Sequence, residues 1–107
     1  MTEKPPNDPV LTRFRGALTE IYGARVEKVV LYGSRARGDH KPDSDYDIAV
    51  FLRDLPERGQ EMAQLAEMET DILYDTGAVI NAMPFPAEAY RERTGFMSEL
   101  RKDGLEL

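Results

Sequence analysis

At 107 residues the chain has room for one domain with a single core and none for a second catalytic domain. It has no cysteine, which excludes disulfides and thiolate metal sites, and it shows neither a signal-peptide pattern nor a long apolar run, so a soluble, cytoplasmic protein is expected, with no membrane partner. A net charge of −6 argues against direct nucleic-acid binding, although the surplus is uneven: Gly23 to Arg53 carries +1 and the remainder −7, a balance that suits a solvated surface or a basic protein partner.

Residues 1–8, which include Lys4-Pro5-Pro6, read as a flexible tail, and residues 9–107 as one domain. From Pro9 to Tyr22 the apolar positions Val10, Phe14, Leu18 and Ile21 fall at helical spacing, which predicts an amphipathic helix ending near Gly23. Val26 to Tyr32 (VEKVVLY) stops at a glycine and reads as a buried strand leading into a turn. Ser34 is placed to cap a short helical turn over Arg35 to Arg37, and Lys41-Pro42-Asp43-Ser44 is a loop. A second strand is predicted over Asp45 to Leu52. Pro56 can open a helix from about Glu57 to Tyr74, with Met62, Leu65, Ala66, Met68, Ile72 and Leu73 mostly inward. Thr76-Gly77 turns the chain into a third strand, Ala78 to Met83. Pro84 and Pro86 frame a loop, after which short helices are expected over Ala87 to about Arg93 and Gly95 to Lys102, the last ended by Gly104. This order predicts an α/β (α+β) domain, a small mixed sheet flanked by helices.

The chemistry concentrates between Leu31 and Leu52, LYGSRARGDHKPDSDYDIAVFL. Gly33 lets backbone approach a ligand closely, and the turn opened by Ser34 presents backbone N–H groups to an anion such as a triphosphate. Side chains two apart on a strand share a face, so Asp45 and Asp47 project together while Tyr46 and Ile48 project the other way. Two such carboxylates repel unless a cation lies between them, and hard oxygen donors suit Mg²⁺ or Mn²⁺. Other motifs fit worse. Gly33 to Gly38 has the glycine spacing of a P-loop, but Asp39-His40 stands where Lys-Ser/Thr is required. Asp43, Asp45 and Asp47 imitate the start of an EF-hand loop, yet Ile48 takes the place of its glycine.

The pattern G-S, ten residues, D-x-D, with an apolar strand on either side, resembles the nucleotidyltransferase superfamily related to polymerase beta. GSRARG and SDYDIAV are similar to its minimal nucleotidyltransferase (MNT) branch, whose members are often antitoxins paired with HEPN toxins. The resemblance is dense over Val26 to Leu52 and looser to about Tyr90. It implies transfer of a nucleoside monophosphate from a nucleoside triphosphate, AMP from ATP, to a hydroxyl, with a tyrosine of a HEPN toxin as acceptor. It also assigns roles. Asp45 and Asp47 would hold Mg²⁺ or Mn²⁺, Gly33 and Ser34 the β- and γ-phosphates, and Arg35 and Arg37 would add positive charge.

One departure from the family pattern bears on activity. Active relatives carry a third carboxylate on the strand after the long helix, whereas here that strand reads AVINAM, with Asn81 the polar residue nearest the place. Asp71 and Asp75 could substitute only in another register. An amide cannot act as a base, so the alternative reading is a degenerate domain that binds nucleotide or neutralises its partner by contact. A small-molecule nucleotidyltransferase fits least, because the chain has no further domain to build an acceptor site. The single histidine, His40, falls in a loop, and a small chain with an open sheet edge could form homo-oligomers.

Overall fold

A four-stranded sheet in the order β3-β2-β1-β4 organises the computed structural model, which describes residues 8–55 and 58–107. The chain runs α1 (Pro9–Tyr22), a 3-10 turn (Gly23–Arg25), β1 (Val26–Tyr32), α2 (Ser34–Arg37), β2 (Tyr46–Leu52), α3 (Arg58–Thr76), β3 (Ile80–Pro86), a 3-10 segment (Ala87–Arg91), α4 (Gly95–Asp103) and β4 (Leu105–Glu106). Strand β1 pairs antiparallel with β2 and β4, and β2 pairs parallel with β3. The sheet is therefore mixed, as expected, and α3 is the crossover that a parallel pair requires.

Strand β2 is central and its apolar run is buried on both faces. Ile48, Val50 and Leu52 pack with α1 and α3 in the larger core, and Ala49 and Phe51 pack with Met97 and Leu100 of α4. This alternation puts Tyr46 on the α1–α3 face and leaves the opposite face to Asp45 and Asp47.

The helices agree with the sequence in extent but not in rotation. In α1 the buried stripe is Leu11, Phe14, Leu18 and Tyr22, while Ile21 is 48% exposed and Val10 only half-buried. The reason is that positions 10/11 and 21/22 are apolar in both registers, and docking Tyr22 beside Glu61 of α3 selects one of them. In α3 the inward residues are Glu61, Leu65, Met68 and Ile72, whereas Met62, Ala66 and Leu73 are exposed; Glu61 is taken inward beside Tyr22 and Arg25, its Oε2 3.7 Å from Arg25 Nη2. Pro56 and Glu57, expected to open this helix, lie outside the described residues, as do residues 1–7 of the expected tail. Asp8, also assigned to that tail, is instead the N-cap of α1, its Oδ1 accepting the Val10 N–H at 2.8 Å.

Two strands depart from expectation. β3 begins at Ile80, not Ala78, and runs through Pro84 and Pro86, which the sequence predicts as the frame of a loop. The N–H of Ala82 points away from β2 and donates to Glu69 Oε1 at 2.9 Å, so positions 84 and 86, of the same parity, also turn their nitrogens to the sheet's outer edge. Proline costs no ladder bond there. β4 was not anticipated. A Cβ on Gly104 would collide with the Leu100 carbonyl and Val30, so glycine lets the chain fold tightly off α4 and pair Leu105 with Leu31.

Candidate active site

Strand β1 ends at Tyr32, and Gly33 turns the backbone at φ 75° into α2. The carbonyl of Gly33 accepts the N–H groups of Ala36 and Arg37, each at 3.1 Å. Gly33 therefore occupies the capping position expected of Ser34, which becomes the first helical residue and sits at the open end of the turn. A Cβ on Gly33 would stand 2.6 Å from Asp47 Oδ2, so the glycine brings the turn and this carboxylate into contact.

Asp45 and Asp47 meet through a shared partner. In the parallel ladder Asn81 lies opposite Asp47, and its Nδ2 donates to Asp45 Oδ2 at 3.1 Å and to Asp47 Oδ1 at 3.4 Å. On the other side Tyr32 is paired with Asp47, and its phenol pKa is raised, first by burial and then by the Asp47 charge. Asp71 and Asp75 are elsewhere: Asp75 pairs with Arg13, and Asp71 lines a groove between α1 and α3. Among the described residues no group of three or more His, Cys, Asp or Glu side chains is arranged to hold a metal ion, and neither Asp45 nor Asp47 is ion-paired to Lys or Arg. Two hard oxygen donors on one strand face, lacking a cationic side chain between them, have the chemistry of a site for a divalent cation, and Asp45 and Asp47 are the residues that could hold it.

The two arginines behave differently. Arg35 donates from Nε to the Ser44 carbonyl at 2.9 Å and from Nη2 to the Pro42 carbonyl at 3.1 Å, with its guanidinium 3.8 Å from the centroid of the Tyr46 ring. Tyr46 in turn donates its hydroxyl to Asp8 Oδ2 at 2.7 Å, and its pKa is pushed up to about 12 by burial and by that hydrogen bond. Arg37 is exposed, 3.3 Å from Asp39, and with Tyr32, Gly33, Phe96 and Leu100 lines a cleft of about 230 Å³. His40 is exposed in the loop beyond.

An aromatic surface adjoins the acidic row, unheralded in the sequence. Phe96, 42% exposed, meets Tyr32 edge-on at 5.2 Å and Phe85 at 5.7 Å between centroids. Tyr32 shares the row of Asp47, and Phe85 lies opposite Phe51, two rows below. The Phe96 ring therefore covers the sheet face immediately beneath the carboxylates. No local pattern marks Phe96, because the strands that position it lie far away in the chain.

The family model of the nucleotidyltransferase domain matches residues 11–103. The chain belongs to the nucleotidyltransferase-domain family. Among curated proteins this chain is 30% identical over 86 residues, 80% of each chain, to "Putative protein adenylyltransferase MJ0604" of Methanocaldococcus jannaschii. A second protein of that organism, "Putative protein adenylyltransferase MJ0141", is 30% identical over 47 residues, 44% of this chain and 48% of its own. Among solved structures the chain resembles a toxin-antitoxin crystallised with AMP-PNP (TM-score 0.64, 17% identity, 89% of this chain and 69% of that one). A variant of the toxin-antitoxin MntA-HpeT is similar at TM-score 0.63 and 15% identity, covering 89% of this chain and 69% of that one. At these identities the likeness is one of fold, and the mixed sheet flanked by helices is the nucleotidyltransferase fold.

Proposed function

We propose that this nucleotidyltransferase moves AMP from ATP to a hydroxyl of a protein partner, a tyrosine of a HEPN-type toxin, and so acts as its antitoxin. The observation that carries the reading is the contact of the Gly33 turn with Asp47, which sets a phosphate-binding turn against two carboxylates on one strand face. The names of the curated relatives support a protein acceptor, and the toxin-antitoxin neighbours support the partner.

In this reading Gly33 and Ser34 hold the β- and γ-phosphates, and Arg37, at the mouth of the cleft, adds charge towards the leaving pyrophosphate. Mg²⁺ or Mn²⁺ held by Asp45 and Asp47 would neutralise charge on the reacting phosphate and the leaving oxygen. The nucleoside lies over Phe96, whose exposed ring offers a stacking surface beside the acidic row. The acceptor oxygen forms a bond to the α-phosphorus as the bond from that phosphorus to the bridging oxygen breaks, and pyrophosphate departs. Asn81, whose amide donates to both carboxylates, cannot take the hydroxyl proton, which therefore leaves to solvent.

Asn81 favours a second reading in which nucleotide binds without turnover and the partner is neutralised by contact. Intact mass spectrometry of the partner encoded beside this chain, co-expressed with wild type and with the Asp45→Ala, Asp47→Ala double variant, separates the two. An added AMP that disappears in the variant supports transfer. An unmodified partner that co-purifies with both forms supports the binding reading.

A further inference from the structure

One group of contacts ties the two halves of the site together from behind. The Arg35 guanidinium, one residue after Ser34, lies over the Tyr46 ring, 3.8 Å from its centroid, and its Nε and Nη2 reach the Ser44 and Pro42 carbonyls of the loop that delivers Asp45. Tyr46 stands between the two carboxylates in sequence but faces the core, where its hydroxyl donates to Asp8 Oδ2 while Asp8 Oδ1 holds the first turn of α1. Its own N–H donates to the Val79 carbonyl at 2.9 Å, just before β3 and Asn81. A planar fork that bonds two carbonyls and stacks on a ring is work a lysine ammonium cannot reproduce.

We infer that Arg35 and Tyr46 are positioning residues, a latch that fixes the phosphate turn and the carboxylate pair as one rigid body, with Arg35 acting on the loop and not on the phosphates. The inference rests on the transferase reading above and assigns Arg35 differently from its expected place at the triphosphate. Tyr46 is the hub, because its ring carries Arg35 on one side and its hydroxyl reaches α1 on the other. Loosening either contact lets Asp45 and Asp47 shift relative to Gly33 without removing any group that touches nucleotide. Displacements of this kind act on the rate of transfer far more than on ground-state binding.

The test compares wild type, Arg35→Lys, Tyr46→Phe and the double variant. Transfer of labelled AMP to the partner at saturating Mn²⁺ is measured beside calorimetric binding of a non-hydrolysable ATP analogue and of ADP. Each single variant is expected to lower kcat about ten- to a hundredfold, with KM and analogue affinity within about twofold of wild type. The double variant should be no worse than the worse single, because the two residues act as one unit. A larger loss for the ATP analogue than for ADP in Arg35→Lys would make the guanidinium a phosphate ligand and overturn the inference, as would an unchanged kcat in Tyr46→Phe. If Arg35→Lys does not fold, Tyr46→Phe, which lacks one hydroxyl, decides alone. A wild type that binds no nucleotide sinks the transferase reading itself. If the wild type binds nucleotide without turnover, Mn²⁺ affinity by electron paramagnetic resonance decides the matter. A fall of about tenfold in both variants supports the latch, and equal affinity overturns it.

Discussion

Gly33 and Asp47 are in a contact that no other residue at position 33 would allow, since a Cβ there would lie 2.6 Å from Asp47 Oδ2 on a backbone already at φ 75°. Gly33→Ala is therefore expected to push the carboxylate aside or strain the turn. Destabilisation of about 1–3 kcal/mol in urea titrations, together with loss of transfer, is the expected result; a fully stable, active Gly33→Ala would contradict the proximity argument.

Asn81 holds both carboxylates through one amide nitrogen, which suggests what an acid there would do. Asn81→Asp replaces a donor by a third negative charge, so it should lower Tm in the presence of chelator and give a larger rise in Tm on adding Mn²⁺ than wild type shows. Thermal melts with and without Mn²⁺ check both halves of the prediction.

Phe96 is exposed enough that truncation should be tolerated, the fold losing mainly its edge contact with Tyr32 and its packing on Phe85. Phe96→Ala is expected to weaken nucleotide binding by about 1–3 kcal/mol, the scale of base stacking on an aromatic ring. Phe96→Tyr should retain the affinity. Calorimetry with ATP in Mn²⁺ gives the answer.

Glu69 has a pKa raised above its usual 4.5, because burial outweighs the Ala82 N–H that its carboxylate accepts. A carboxyl with a raised folded-state pKa contributes stability that is fully present below the usual value and lost as pH rises through the raised one. Glu69→Gln keeps an acceptor for the Ala82 N–H without the charge. The variant should gain on wild type as pH is raised from the usual glutamate range towards neutrality, and denaturation across that interval would detect the trend or its absence.

Much of this arrangement is legible locally. The end of β1 at a glycine, the shared face of Asp45 and Asp47, and the place of Asn81 all follow from short-range patterns, because strand alternation decides them within a few residues. What escaped is set at long range. Which of two adjacent apolar stripes α1 buries depends on α3, and the passage of Pro84 and Pro86 through a strand depends on which edge of the sheet that strand forms. Arg35 has the composition of a phosphate ligand, and only the return of residues 42–46 beside α2 gives its guanidinium other partners. Asp8 carried a legible signal, an aspartate immediately before a proline at a helix start, but its link to Tyr46 spans the domain.

The outer border of β3 has a consequence for assembly. Strands recruit one another by offering unpaired backbone donors, and here the Ala82 donor is taken by Glu69 while positions 84 and 86 have none to give. Growth of the sheet by a second copy is thus discouraged on that flank. A protein partner that engages this flank would find few backbone donors to pair with, and its recognition would rest more on shape and charge, which evolve residue by residue.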